Sequence, residues 1–175
     1  ISLVIPVYNE EKNLRPLMER ITAAMAPLGR PYEVIFIDDG SRGSSLEILK
    51  DLASRPEVRV VELTRNYGQH AAILAGFSVC RGEIVVTLDA DLQNPPEEIP
   101  RLVGVMEEGA YDVVGTIRKH RRDSLLRIVP SRIVNRIASR ITGVAMSDWG
   151  CMLRAYRRPV VERMVACHEH ATFIP

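Results

Sequence analysis

Short, mainly apolar runs that alternate with helical patterns constrain the fold of this 175-residue chain most strongly. Strand-like runs occupy 2–7, 33–37, 58–63, 84–88 and 113–116, and helical patterns occupy about 11–28, 44–54, 68–80 and 96–108. Strands that are apolar along their whole length are covered on both faces, and intervening helices favour parallel pairing. The pattern predicts an α/β fold in one domain, 1–175: a Rossmann-like, mostly parallel sheet with helices on both faces.

Polar residues follow every predicted strand. They form five loops, at 8–10, 38–41, 65–66, 89–91 and 116–118. Right-handed crossovers place the carboxyl ends of parallel strands on one edge of the sheet. We therefore expect these loops to lie together, and their concentration on one edge predicts a binding site there.

Asp89 and Asp91 are the most informative of these polar residues, because they stand two apart directly after an apolar run. Side chains at this spacing point to one side of an extended chain. Paired carboxylates at a strand end can hold a divalent cation against a diphosphate, and Gln93 adds a neutral oxygen nearby. The alternative is a solvated acidic turn.

Charge divides the chain into two halves whose opposite signs nearly cancel. Residues 1–116 carry 11 Lys/Arg and 18 Asp/Glu, whereas residues 117–175 carry 12 and 4. Arg132, Arg136 and Arg140 repeat every four residues in a helical pattern after Pro130, either as a basic stripe or as an ordinary solvated face. The basic half favours anionic partners, but it lacks the motifs of nucleic-acid binding.

Several other classes of protein are excluded or unsupported. No apolar run approaches the ~18–20 residues of a membrane span. The glycine-rich dinucleotide and P-loop motifs are missing, so any phosphate would be bound through metal and arginine. The three cysteines lack metal-ligand spacing and are expected to be reduced packing residues. We assign His70 a capping or core contact.

Four short motifs carry a family resemblance: PVYNE at 6–10, IDDGS at 37–41, DADLQ at 89–93 and RAYRR at 154–158. They resemble the family 2 inverting glycosyltransferases of GT-A fold, and among these the polyprenyl-phosphate glycosyltransferases. The runs at 65–70, 89–101, 111–116, 150–158 and 172–175 are similar to the bacterial group that transfers 4-deoxy-4-formamido-L-arabinose to undecaprenyl phosphate.

The resemblance implies a nucleotide-sugar donor, expected to be UDP-linked, in the half formed by 1–116. It makes Asp38 the base-reading residue with Asp39 beside it, although the same four residues, 38–41, could instead form a helix-capping turn. It makes Asp91, with Gln93 and Asp89, the ligands of Mg²⁺ or Mn²⁺, and places Asp89 facing the donor, within reach of metal or ribose. The floor and wall of the nucleotide pocket are then Pro6, Tyr8 and Glu10.

The acceptor implied for the half formed by 117–175 is undecaprenyl phosphate. A phosphate monoester is largely dianionic near neutral pH, so it is nucleophilic without a general base. What it requires is arginine, which binds phosphate in a planar fork, and Arg118 and Arg132 match the family's acceptor-phosphate arginines. Asp148 falls where relatives carry an aspartate, but WGCMLR at 149–154 departs from the mannosyl relatives, so a role for Asp148 stays open.

The resemblance also implies a cellular setting. Longer family members carry C-terminal membrane helices, so we expect a longer protein at the cytoplasmic face of the bacterial inner membrane that acts in lipid A modification and resistance to cationic antimicrobial peptides. Self-association into a homo-oligomer stays open. The alternatives are a polyprenyl-phosphate glucosyl- or mannosyltransferase using UDP-glucose or GDP-mannose, a non-catalytic nucleotide-sugar-binding module, and a receiver-like phosphoacceptor at 38–39.

Overall fold

The computed structural model describes residues 1–116 and 151–167, and its six strands form one sheet. The strands are β1 (Ser2–Val7), β2 (Glu33–Asp38), β3 (Val58–Glu62), β4 (Ile84–Thr87), β5 (Val113–Gly115) and β6 (Arg154–Arg157). The α-helices are α1 (Leu14–Met25), α2 (Ser45–Leu52), α3 (Gln69–Val79), α4 (Ile99–Glu108) and α5 (Arg158–Ala166). The predicted α/β fold is confirmed.

The strand order is β3-β2-β1-β4-β6-β5. Strands β1 to β4 pair in parallel, whereas β6 is antiparallel to both of its neighbours. β5 therefore runs in the same direction as β1 to β4, and its carboxyl end reaches the same edge. The sequence did not predict β6, which separates β5 from β4 and brings its amino end, at Arg154, to that edge.

The two faces of the sheet carry separate apolar clusters because successive side chains alternate between them. Leu3, Ile5 and Phe36 pack on the face that α1, α2 and α4 cover. Val4 and Ile37 pack on the opposite face, together with α3. The core thus has helices on both sides, as apolar strands require.

Helix α3 packs directly on the sheet at Gly76. A Cβ at this position would stand 2.4 Å from Val4 Cγ1 and 2.8 Å from Ile37 Cδ1. A larger residue would meet these side chains of β1 and β2. The absence of a side chain at Gly76 therefore permits the contact between α3 and the sheet.

Element boundaries differ from the predictions mainly at prolines. The helix predicted over 11–28 is α1 followed by a 3-10 turn, Ala26–Leu28, which ends at Gly29 with φ +56°. The helix predicted over 96–108 begins with a 3-10 turn, Pro96–Glu98, before α4. Proline lacks an N–H and fits only the first turn of a helix, which explains both deviations.

Candidate nucleotide-sugar site

A cavity of about 350 Å³ opens at the carboxyl edge of the sheet. Its wall is formed by the loops after β1 to β4, with these residues: Pro6, Val7, Tyr8, Glu10, Asp39, Asn66, Gly68, Gln69, Asp89, Ala90 and Asp91. The structure therefore brings six of the predicted site residues to one cavity. Two other predicted site residues in the described part of the chain, Asp38 and Gln93, do not line the cavity.

The loops after β1 and β2 hold each other in place. Asn9, which has φ +58°, donates its backbone N–H to Ser41 Oγ at 3.0 Å, and its Oδ1 accepts the N–H of Arg42 at 2.8 Å. The N–H of Glu10 donates to Ser45 Oγ at 3.0 Å. These bonds fix the loop that carries Tyr8, a residue that is 41% exposed and lines the cavity.

Asp39 ties the loop after β2 to the start of α3. Its Oδ1 accepts the N–H of Tyr67 at 2.7 Å, and its Oδ2 accepts that of Gly68 at 2.9 Å. Gly40 has φ +70°, and a Cβ there would stand 2.6 Å from the carbonyl carbon of Arg65. Only glycine permits this crossing of two loops, so Gly40 is needed to place the carboxylate of Asp39 on the cavity wall.

Asp38 has a different environment from Asp39. It is 1% exposed, and its Oδ2 accepts the N–H of Ser41 at 3.3 Å. The helix-capping alternative for 38–41 is not what the structure contains, because α2 begins only at Ser45 and its N-cap residue, Ser44, makes no side-chain cap bond. Residues 38–41 instead hold the loop after β2 to the loops after β1 and β3, through Ser41 and Asp39.

Asp89 is held between two carboxamide side chains. Gln69 Nε2 donates to its Oδ1 at 2.6 Å, and Asn94 Nδ2 donates to its Oδ2 at 3.0 Å. One donor comes from the first residue of α3 and the other from the segment before the Pro96–Glu98 turn. The carboxylate is thus oriented before any ligand enters.

Asp91 begins a tight turn. Its Oδ1 accepts the N–H of Gln93 at 2.9 Å, across Leu92, which adopts φ +62°. A non-glycine residue in this left-handed region is uncommon and costs about 1 kcal/mol or more, so its packing must hold it there. The side chain of Leu92 packs against the apolar core, which supplies that hold.

The donor set fits a hard divalent cation. Asp89 and Asp91 offer carboxylate oxygens at the cavity, and Mg²⁺ or Mn²⁺ prefers such ligands. Within residues 1–116 and 151–167, no group of three or more His, Cys, Asp or Glu side chains is arranged to hold a metal. Two carboxylates suit a cation that takes its remaining ligands from substrate phosphates and water, as Mg²⁺ commonly does.

Sequence reasoning gave no role to several residues around the cavity. Asn66, Gly68 and Gln69 lie on its wall, and the signals for them were the polar loop at 65–66 and the family-like run at 65–70, neither of which assigned a role. Arg154 is 1% exposed at the start of β6, and its Nε donates to the carbonyl of Cys151 at 2.9 Å. Burial, and then the charge of Arg154, lower the pKa of His70, which favours a neutral imidazole.

The predicted acceptor residues lie outside the described part of the chain. Arg118, Arg132 and Asp148 all fall in 117–150, as do Arg136 and Arg140. Thr116 ends the described segment that leads to them, at the same sheet edge as the cavity.

Within residues 1–116 and 151–167, no helix combines the length and apolar character needed to span a bilayer.

The sequence matches curated proteins over its whole length. It is 58% identical over 177 aligned residues to the undecaprenyl-phosphate 4-deoxy-4-formamido-L-arabinose transferase of Yersinia enterocolitica, covering 100% of this chain and 54% of that protein. The transferase of the same name from Pseudomonas paraeruginosa is 61% identical, with 100% and 52% covered. The chain therefore spans about half the length of the curated relatives it matches.

Solved structures share the fold at low sequence identity. A mannosyltransferase from Pyrobaculum calidifontis, solved in complex with GDP-mannose and Mn²⁺, aligns with a TM-score of 0.69 and 21% identity over 99% of this chain and 48% of that one. The glucosyl-3-phosphoglycerate synthase of Mycobacterium tuberculosis, solved with UDP, gives 0.68 and 24% over 91% and 57%. The glycosyl transferase family 2 model matches residues 2–165. With that match over nearly its entire length, the chain belongs to glycosyl transferase family 2.

Proposed function

We propose that this chain forms the donor-binding and catalytic part of an inverting, metal-dependent glycosyltransferase that moves a sugar from a nucleotide diphosphate to a lipid phosphate. The observation that carries the proposal is the pair Asp89 and Asp91 on the wall of a cavity at the sheet edge. Ligands of open α/β sheets bind at this edge. The curated relatives at 58–61% identity supply the substrate class.

The diphosphate is the part of the donor that the acidic loop would serve. Mg²⁺ or Mn²⁺, when bound, would neutralise the leaving diphosphate as a Lewis acid. Asp91 is the primary ligand in this proposal and Asp89 a further one, whereas Gln93, which the sequence also predicted as a ligand, does not line the cavity and is left out of the donor set. Asp89 is pre-oriented by Gln69 and Asn94, so little reorganisation is needed when the donor enters.

The nucleoside would occupy the part of the cavity formed by the loops after β1 and β2. Pro6, Tyr8 and Glu10 line it there, and Tyr8 offers an exposed aromatic face against which a base can stack. We assign base and ribose recognition to Asp39 rather than Asp38, because Asp39 lines the cavity and Asp38 does not. Each carboxylate oxygen of Asp39 can accept a second hydrogen bond besides the one it already has.

The acceptor would be undecaprenyl phosphate, delivered at the cytoplasmic face of the inner membrane. Its phosphate oxygen attacks the anomeric carbon from the side opposite the diphosphate, which inverts the configuration and needs no protein base because the phosphate is already ionised. Arg118 and Arg132 would bind that phosphate in the basic half of the chain. The favoured donor is UDP-linked 4-deoxy-4-formamido-L-arabinose.

The test is transfer by the whole protein from a panel of nucleotide sugars to undecaprenyl phosphate, with and without EDTA. We expect turnover with the formamido-arabinose donor, inverted configuration in the product, and loss of turnover in EDTA that Mn²⁺ or Mg²⁺ restores. Turnover only with UDP-glucose or GDP-mannose would reassign the sugar. Nucleotide-sugar binding without turnover on any acceptor would indicate a non-catalytic module and overturn the proposal.

A further inference from the structure

Asn94 is a polar side chain that is buried in the interior of the protein. It is 2% exposed, in the segment between the acidic loop and the Pro96–Glu98 turn. A buried carboxamide costs free energy unless both of its ends are hydrogen-bonded. Its placement therefore requires an explanation in terms of the groups it contacts.

Both ends of the Asn94 amide have partners of the correct kind. Nδ2 donates to Asp89 Oδ2 at 3.0 Å, and Oδ1 accepts from Cys151 Sγ at 3.4 Å. Cys151 is fully buried, and its sulfur lies 3.0 Å from Thr116 Oγ1. A continuous chain of polar contacts thus runs from the edge of β5 through the segment before β6 to the carboxylate of Asp89.

The order of these groups fixes which way the amide faces. A thiol donates weakly, and an ionised carboxylate only accepts, so the amide oxygen faces sulfur and the amide nitrogen faces Asp89. The reversed amide would set its oxygen against a carboxylate oxygen, a repulsive contact. The carboxylate and the thiol therefore favour the same Asn94 orientation, and Cys151 adds to the hold of Asp89 on the amide.

We propose that Asn94 is a positioning residue for the donor site, which it serves by holding the carboxylate of Asp89 in the orientation that a metal-bound nucleotide diphosphate requires, with Cys151 donating to the Asn94 amide oxygen from the other side. This role rests on the proposed function, since it presupposes a donor at Asp89. Gln69 holds the other carboxylate oxygen, but its side chain is exposed, whereas Asn94 is enclosed and cannot turn away.

The structure offers a matched control in Thr87. Thr87 is 1% exposed, and its Oγ1 donates to the carbonyl of Met152 at 2.6 Å. Thr87 and Asn94 thus both make a buried hydrogen bond to the segment before β6. Thr87 has no hydrogen bond to Asp89 among the described residues. Thr87→Val therefore removes a comparable buried hydrogen bond without releasing the carboxylate.

The experiment measures UDP affinity of the whole protein by calorimetry in Mn²⁺ and in EDTA, together with the unfolding midpoint in EDTA. Removing a residue that orients a metal ligand typically weakens metal affinity or activity about 10- to 100-fold, so Asn94→Ala should weaken Mn²⁺-dependent UDP binding by that amount. Thr87→Val should keep UDP affinity within about 3-fold of wild type, because Asp89 stays oriented. Cys151→Ser should preserve binding, since a hydroxyl still donates, and Cys151→Ala should not.

A second variant covers the case in which Asn94→Ala does not fold. Asn94→Leu fills the site with an apolar side chain that can neither donate to Asp89 nor accept from Cys151. Its Mn²⁺-dependent UDP binding should be weakened about 10- to 100-fold, as in Asn94→Ala. Wild-type affinity for UDP in the folded Asn94 variants, or equal losses in Asn94→Ala and Thr87→Val, would overturn the positioning role. Wild-type protein that binds no UDP in either condition would overturn the proposed function, and the positioning role with it.

Discussion

The carboxylate of Asp39 accepts a hydrogen bond from the backbone N–H of Gly68 at 2.9 Å, which joins the loop after β2 to the first turn of α3. The same turn carries Gln69, which donates to Asp89. Asp39 and Asp89 are therefore connected through the start of one helix. Loops that follow three separate strands form a single site in this way.

Asp39 and Asp38 should differ in their effect on nucleotide binding. Asp39→Ala removes a cavity carboxylate and two backbone acceptors, so we expect at least about a 10-fold loss of UDP affinity, and a loss of about 1–3 kcal/mol in the free energy of unfolding. Asp38→Asn keeps the acceptor for the Ser41 N–H and should change UDP affinity by less than about 3-fold. Calorimetry with UDP checks both. Greater loss in Asp38→Asn than in Asp39→Ala would return the base-reading role to Asp38.

Gly40 should tolerate substitution far less well than Gly29. Both have positive φ, at +70° and +56°, but a Cβ at Gly40 would meet the Arg65 backbone at 2.6 Å, whereas among the described residues nothing lies within 4 Å of one at Gly29. We expect Gly29→Ala to cost about 1 kcal/mol and Gly40→Ala about 3 kcal/mol or more. Urea unfolding of the two variants measures the difference. Equal costs would mean that the loops do not cross as closely as described.

Glu33 should make stability depend on acid pH. Burial raises the pKa of its carboxyl, but hydrogen bonds from Ser2 Oγ, the Arg81 N–H and Arg59 outweigh burial, and the net shift is downward. A folded-state pKa below the unfolded one stabilises the fold at pH values above the unfolded pKa, near 4.5, and this contribution is lost as pH falls through the folded pKa.

Glu33→Gln is the variant that isolates this effect. We expect it to be less stable than wild type at pH 7 by about 1–2 kcal/mol, with the gap closing in acid because wild type loses its charged acceptor. Urea unfolding at a series of pH values from 7 to 3 gives the curve. A gap that stays constant across this range would show that the charge of Glu33 is not involved.

The arginines of the basic half should separate into two classes. In the whole protein, Arg118→Ala or Arg132→Ala should lower transfer to undecaprenyl phosphate by about 10-fold or more while leaving UDP affinity intact, because each loses a phosphate contact. Arg136→Ala and Arg140→Ala should cost only membrane affinity, about 1 kcal/mol each in binding to anionic vesicles at low salt. The same loss of transfer in all four variants would mean that the basic stripe acts as general electrostatics.

Sequence patterns predicted α1 to α4 and five strands because each spans several residues with clear apolar periodicity, but they did not predict α5 (Arg158–Ala166). They did not predict β6, since Arg154–Arg157 is short and polar at its ends, and it pairs with β4, which lies about seventy residues earlier in the chain. They placed Asp89 and Asp91 at one edge from topology alone. The contact between Asn94 and Cys151 spans 57 positions in sequence and depends on side-chain packing, which no local pattern encodes.

The central claim is a donor site in which UDP binds together with a divalent cation at Asp91. Calorimetric titration of UDP into the whole protein tests it most directly, in Mn²⁺ and in EDTA, with wild type and with Asp91→Ala. We predict binding by wild type in Mn²⁺, at least about 10-fold weaker binding in EDTA, and no effect of Mn²⁺ on the Asp91→Ala variant, which should fold normally because Asp91 lies on the cavity wall rather than in the core. Equal UDP affinity of wild type in Mn²⁺ and in EDTA would contradict the claim.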